Sequence, residues 1–488
     1  MAWYKYFSVE VPMCLLIFAM ELSGSVSTNL MMYRTCYTIL DYPEADCAQL
    51  GNYVNNVTID LEPKVQPTIN YINMVQNIIH NTFPILVCMF IGTWSDKFGR
   101  KPFMLVSMIS GTLSAINTFL IVHFKYASAW WFVAAGIPSV VTGGMATGAI
   151  VNSAYLIDVS TKKDRVIRLA TFEFVMMSSG FVAKMIASRV LYATSYETMY
   201  LITIGLHIPS ILYTIFFIPE SRKDVKKISE IFSLKDICAH LNIKTVLQEA
   251  FRKRENNINR YLYSVIAIQL IWSFGMGDMQ VFSLYLRNRL HWTISKLNLV
   301  SSITTIGHMI IASLGTYILY KVLKIKEMRL ALLGVTCITI ATFLRAIAKS
   351  DIYIYITNVL GCFGGLTMLM WKTVMSYMLR PEEMGNIMAL MSIIQSLISL
   401  LSGLVYPAIY NATINTNSGL YNYLSLGINV IVGISILVLS RLNIPHYQPD
   451  PIPLSKEQES EKNSTTSKIA DTTVEIAHEN ENKDDQRY

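Results

Sequence analysis

Seven ionisable side chains fall inside long apolar runs: Glu21, Glu173, Lys184, His207, Asp278, His308 and Lys372. A charge at the centre of a hydrocarbon layer costs on the order of 3 kcal/mol or more, so such groups are candidates for moving protons or holding charged solutes. Glu173 and Lys184 lie eleven residues apart, about three helical turns, and so share one face. On that face a carboxylate can titrate and an ammonium can hold an anion; the alternative for Glu173, near a helix end, is a salt bridge between helices. Lys372 follows Trp371 too deep in its run to snorkel comfortably, with Asp278 as a candidate counter-charge or a structural pair. His308 can take a proton near neutrality, or serve as a hydrogen-bonded packing residue. Asn73, Gln76, Asn77, His80 and Asn81 recur at helical spacing and predict one wet helix face.

The elements that must position these groups are membrane-spanning helices. Of 488 residues, 52% are hydrophobic and 15% charged, against about 25% charged in an ordinary soluble protein. Apolar runs of the length needed to cross about 30 Å of hydrocarbon recur near 9–32, 70–94, 103–123, 131–157, 168–190, 198–219, 261–286, 297–320, 328–348, 351–376, 384–409 and 420–441. The first run lacks a cleavage site and reads as a retained span. Twelve spans follow, six in 1–219 and six in 261–441, joined by a basic cytoplasmic loop over 220–260. The expected class is an all-α membrane protein with two six-helix bundles.

Loops on the side of this central loop carry 22 Lys and Arg, ten of them in the loop itself, against 7 on the opposite side, so both termini are expected in the cytoplasm. The first outer loop, 33–69, holds Cys36, Cys47 and the sequon at Asn56. A local disulfide and a glycan would suit an oxidising compartment, although two cysteines can also stay reduced and short sequons arise by chance. A second sequon begins at Asn411 in the last outer loop. Residues 442–488, with ten acidic and five basic residues and few large apolar ones, predict a disordered cytoplasmic tail.

Between the second and third spans, Gly92-Thr93-Trp94-Ser95-Asp96-Lys97-Phe98-Gly99-Arg100-Lys101-Pro102 resembles the loop motif of major facilitators. Glycines permit a tight turn there, Asp96 can cap a neighbouring helix, and Arg100 can pair with Asp158 at the inner end of the fourth span. Gly92, Asp96, Gly99, Arg100, Lys101 and Asp158 thus form a candidate cytoplasmic gate that would hold the outward-open state. Together with Ala154-Tyr155-Leu156-Ile157-Asp158, Phe274-Gly275 before Asp278, and Trp292 before Ser295-Lys296-Leu297, the motif resembles the proton-coupled folate transporter family, over roughly residues 5–442. The resemblance implies secondary transport of a small organic, anionic solute, folate-like or a lysosomal breakdown product, by alternating access with proton symport. It also implies that Lys372, where relatives carry Arg, contacts the anion. Here Lys lacks the planar fork of Arg, and Ser273 stands where relatives place a His before the Phe-Gly.

No GxxxxGK[ST] loop points to ATP, and no His, Cys or acid cluster sits at an interface, so an enzyme, a cofactor or a metal is not expected. The charge of +7 is accounted for by loop topology and predicts no nucleic-acid partner; the expected partners are the bilayer, the solute and protons. An uncoupled facilitative carrier, or a receptor or scaffold that kept the fold without flux, fits the same spans. The tail shows no obvious dileucine or tyrosine sorting signal, which tilts expectation to the plasma membrane over the lysosome.

Overall fold

The computed structural model describes residues 9–160, 165–222, 258–311, 315, 317–379 and 381–442, which form helices and turns with no strand among them. The expected tail, and most of the central loop, lie outside the described residues. The first half of the chain contains α1 (Glu10–Thr38), α2 (Glu44–Cys47), α3 (Asn56–Phe98), α4 (Arg100–His123), α5 (Trp131–Ala135), α6 (Ile137–Val141), α7 (Gly144–Val159), α8 (Arg165–Ala193) and α9 (Tyr196–Phe217). The second half contains α10 (Ile258–Gly275), α11 (Met279–Leu290), α12 (Ile294–Ile310), α13 (Glu327–Ala346), α14 (Asp351–Gly361), α15 (Gly364–Met378), α16 (Pro381–Asn417) and α17 (Tyr421–Ser440).

The helices are built inside out relative to a soluble bundle. In α9, Thr203, His207, Ser210 and Thr214 are buried while Leu201, Ile208, Leu212 and Phe216 are exposed. In α17, Asn422, Ser425 and Asn429 are buried and Ile431, Ile434 and Val438 are exposed. Such a pattern would be unstable in water and is stable in lipid, where apolar side chains face the solvent and polar ones find partners within the bundle.

Eight stretches among the described residues are long and apolar enough to cross a bilayer, one of them, Ile258–Leu290, containing a 3-10 turn, and Asn56–Phe98 makes a ninth as a pair bent by 44°. The remaining three expected spans are interrupted. The fourth is divided into α5, α6 and α7, with Gly143 at φ +77 and Gly144 at φ +52, values that a side chain would oppose. The tenth is divided at Cys362–Phe363 between α14 and α15, and the eighth passes from α12 into a wider turn at Tyr317–Val322.

The packing differs between the two ends of the bundle. Near the Cys36–Cys47 disulfide, one apolar cluster draws Met32, Leu61 and Val65 from the first half together with Leu284, Tyr410 and Tyr421 from the second. Toward the other end, the halves keep separate clusters, one around Met104 and Tyr155 and one around Trp272 and Trp371.

Candidate functional site

The expected seventh span is broken by its own sequence, Phe274-Gly275-Met276-Gly277-Asp278. After α10 the chain makes a 3-10 turn over Met276–Asp278 before α11 begins. A side chain at Gly277 would meet Ser402 and the Tyr406 ring, so glycine is required for this close approach. The carbonyl of Gly275 accepts hydrogen bonds from the hydroxyls of Tyr406 and Ser425, each at 3.1 Å, which compensate for the lost helical geometry. The turn buries Asp278, 2% exposed, against Arg345 of α13, 5% exposed, with Nη2 to Oδ2 at 2.9 Å.

Arg345 forms part of the wall of a cavity of about 570 Å³. Ser25 and Thr28 of α1 line it from the first half; Met279, Phe282, His308 and Asn358 line it from the second. Apolar walls with a few converging polar groups are the usual composition of an organic-solute site. A second, more polar chamber of about 480 Å³ lies between α3, α10, α11 and α16, lined by Asn81, Ser273, Gln280, Gln395 and Ser399, and Met276 borders both chambers. Gln395 donates to the Ser273 hydroxyl at 3.1 Å.

The polar stripe of α3 divides its work. The Asn77 amide donates to the carbonyls of Ser399 and Leu400 across to the second half, at 3.4 and 3.5 Å, and Asn81 borders the polar chamber. Gln76 donates to the Phe132 carbonyl at 3.2 Å, and the His80 ring lies against Gly136 at the junction of α5 and α6. One face therefore serves both an inter-half seam and a helix break.

At the disulfide end the halves are sealed. Arg287 of α11, 2% exposed, donates to Glu62 of α3 at 2.9 Å and to Asn29 of α1 at 3.0 Å. Tyr410 donates to Gln66 at 2.7 Å and Asn70 to Asn411 at 2.6 Å. Asn298 donates to Ser188 at 3.0 Å, and the Ile294 N–H reaches the Gly51 carbonyl at 2.9 Å. Gly51, at φ +75, lies directly against Asn29 and the Arg287 guanidinium. The Asn411 side chain is engaged, since its amide also donates to the Pro67 carbonyl at 3.2 Å, whereas Asn56 is exposed at the start of α3.

At the opposite end, the loop motif is knotted within the first half. Arg100 contacts Asp158 at 3.1 Å and Ser95 at 2.6 Å, and pairs with Asp96. Gly99 adopts φ +94, and the Glu220 carboxylate fills the space beside it, accepting the N–H groups of Arg100 and Lys101 at 2.8 and 3.1 Å. Glu220, not Asp96, caps α4. Asp96 instead binds Arg222 at 2.6 Å, and the Lys101 ammonium donates to the Ile215 carbonyl at 2.7 Å. Gly92 lies one turn earlier, its carbonyl taking the Ser95 hydroxyl at 3.0 Å.

Lys184 of α8 pairs with Glu21 of α1 at 3.2 Å, while Glu173 is exposed. Lys372 falls in α15 beside buried Trp371; its side chain lies outside the described residues. His207, at 3.2 Å from the Thr112 hydroxyl, packs between α9 and α4. The sequence reading passed over Arg287, Glu62, Arg345 and Glu220. The signal for the first pair was present: Glu62, Gln66, Asn70, Asn77 and Asn81 continue one helical stripe beyond the apolar run.

Two chambers between helices from both halves of one polytopic bundle, sealed at one end, define a secondary transporter with the major facilitator fold, and the proteins it resembles are transporters rather than enzymes. The profile of the Major Facilitator Superfamily matches residues 65–403, and the chain belongs to that family. Among curated relatives, the Drosophila melanogaster "Probable peptidoglycan muropeptide transporter SLC46" is 24% identical over 457 residues, covering 90% of this chain and 87% of the relative. The "Proton-coupled folate transporter" of Rattus norvegicus is 22% identical, covering 91% and 94%. The Gallus gallus "Lysosomal proton-coupled steroid conjugate and bile acid symporter SLC46A3" is 23% identical, covering 88% and 92%. The crystal structure of a POT peptide transporter with sulfate superposes at a TM-score of 0.66 with 9% identity, covering 91% of this chain and 96% of its own. The expected likeness to the folate-transporter type is met along nearly the whole chain.

Proposed function

We propose that this protein carries a small organic anion across the membrane by proton symport, with the 570 Å³ cavity as the solute site. The observation that carries the reading is the position of that cavity: it is walled by both halves, contains Arg345 and His308, and is closed at the disulfide end. A chamber accessible from one side at a time is the requirement of alternating access. Support for an anion comes from the relatives, whose names specify muropeptide, folate, and steroid conjugates with bile acids, the last two as proton-coupled.

In this proposal, residues 1–219 and 261–441 form two six-helix bundles that rock about the cavity, 220–260 links them in the cytoplasm, and 442–488 is a cytoplasmic tail. His308 and Glu173 relay protons along the path, Lys184 and Lys372 draw the anion toward the cavity, Asn77 and His80 border its path, and the cluster around Arg100, Asp96 and Asp158 forms the first half's face of the cytoplasmic gate. The disulfide loop and a glycan on Asn56 face the opposite side. We place the protein at the plasma membrane on the composition of its tail; one relative is named as lysosomal, and surface biotinylation of the tagged protein decides between the two.

The test is uptake by proteoliposomes of a reduced folate, a bile acid, a steroid sulfate and a muropeptide. Saturable uptake of one of these, increasing as external pH falls from about 7.5 to 5.5, is expected. Uptake that stays flat over that range would exclude symport and leave an uncoupled carrier.

A further inference from the structure

We propose that Arg345 is the residue that grips the anionic group of the solute, and that Asp278 is its resident counter-ion, yielding Arg345 to the solute when it takes up a proton. This rests on the reading of the larger cavity as the solute site.

Three arginines are buried in the described structure with acidic partners, and they differ in how completely they are satisfied. Arg100 spends its side-chain donors on Asp96, Ser95 and Asp158. Arg287 spends both terminal nitrogens, on Asn29, Met32 and Glu62. Arg345 uses Nη2 alone, toward Asp278 at 2.9 Å and the Thr342 hydroxyl at 3.2 Å; its Nε, like that of Arg287, has no hydrogen-bond partner, and, unlike either terminal nitrogen of Arg287, neither does its Nη1, nor does Asp278 Oδ1. A guanidinium offers five N–H donors, and a buried pair recovers its desolvation cost only when the remaining donors are met. Arg345 lines the chamber, so its unmet donors need only a turn of the side chain to reach a ligand there. Arg345 is also held over the Phe282 ring, 5.3 Å from its centroid, and Phe282 lines the same chamber. An apolar wall joined to a cation with free donors fits an amphipathic anion, a ring system carrying a carboxylate or sulfate.

The exchange balances. With the chamber empty, Asp278 is a carboxylate and neutralises Arg345. When the solute's anion binds Arg345, Asp278 takes one proton and becomes a neutral acid, so one negative charge and one proton enter together. The groups facing Asp278 are Arg345 from α13, and Tyr406 and Tyr421 from α16 and α17; the Tyr285 hydroxyl of α11 is turned to the Arg345 carbonyl. Across the chamber stand His308 of α12 and Arg287 of α11. None of these tyrosines is an acid near neutral pH, and the two arginines remain charged, which leaves Asp278 as the acid that meets Arg345 directly.

The experiment measures proton-gradient-driven uptake of a steroid sulfate and of a reduced folate by the full chain in proteoliposomes, with reconstituted amount checked by gel. R345Q is expected to raise KM roughly 30-fold with Vmax within about threefold, and R345K to recover part of the loss. D278N, the isostere of the protonated acid, is expected to lower KM at about pH 7.5 and to remove the ratio between uptake at about pH 5.5 and 7.5. Should either single variant fail to fold, the D278N/R345Q pair, which leaves no unpaired charge, is expected to reconstitute with raised KM and no pH ratio. Uptake by R345Q with wild-type KM, or a wild-type pH ratio in D278N, overturns this inference alone. No uptake of any anion by the wild-type chain overturns the proposed function and this inference with it.

Discussion

The two ends of the bundle hold themselves together in different ways. At the disulfide end, polar contacts run between the halves, from Asn29 and Glu62 to Arg287, Gln66 to Tyr410 and Asn70 to Asn411, over a shared apolar cluster. At the opposite end, the Arg100 cluster joins α3, α4, α7 and the chain just after α9, all in the first half. The first set must break whenever that end opens; the second can persist through the cycle. A carrier thus separates the bonds that define a state from those that keep a half rigid enough to move as one body.

The sharpest way to break this contrast is at Glu62. Glu62→Gln removes the acidic partner of a buried guanidinium, and the expected loss is about 3–5 kcal/mol from the closed state. Maleimide labelling of a cysteine placed at Gln66 should rise strongly; unchanged labelling would mean that the ion pair does not hold the seal. Next in size is Cys36→Ser, which opens a loop of eleven residues' separation. It should cost about 3 kcal/mol by chain entropy, read as a lower melting temperature in detergent together with faster labelling at position 66.

Arg100→Gln should cost about 1–2 kcal/mol, less than Glu62→Gln, because Arg222 already reaches both Asp96 and Asp158 at 2.6 and 3.2 Å. It should lower the melting temperature without increasing labelling at position 66. A rise there equal to that in Glu62→Gln would erase the distinction between the ends. The smallest effect is expected at the surface. Hydrogen bonds from Lys125 and Tyr33 hold the Glu44 carboxyl below the usual carboxylate range. Because the folded value is depressed, the contribution is present above the unfolded carboxylate value and is lost as pH falls through the folded one. Glu44→Gln should therefore reduce stability marginally near neutrality, and a melting series into acid should bring the two proteins together.

Hydropathy made the class of the protein legible, and the 92–102 motif pointed to the cluster around Arg100. It read what faces lipid. Span two was expected from residue 70, yet α3 begins at Asn56, because Glu62, Gln66 and Asn70 face protein, where polarity is no obstacle to a helix. The same blindness concealed Arg287, just past the expected end of span seven. Asp278 and Lys372 both sit in apolar runs and so read as a candidate pair; Arg345, three residues inside the end of its expected span, lies where a charge draws no notice. The helix breaks at Gly143-Gly144 and Cys362-Phe363 escaped because an apolar window averages over backbone geometry. Glu220 escaped as the cap of α4 because it lies 120 residues from Arg100, and no local pattern reports a contact of that span.

Gly51 shows what such long-range contacts mean for tolerance to change. It lies in an extramembrane loop four residues beyond Cys47, the sort of place where insertions and tags are usually accepted. Its backbone, however, sits flush on Asn29 and Arg287, in a conformation that disfavours a side chain. Even a methyl group there would press on the charged seam below, so natural variation at this apparently idle loop position should be as tightly restrained as at the arginine it covers.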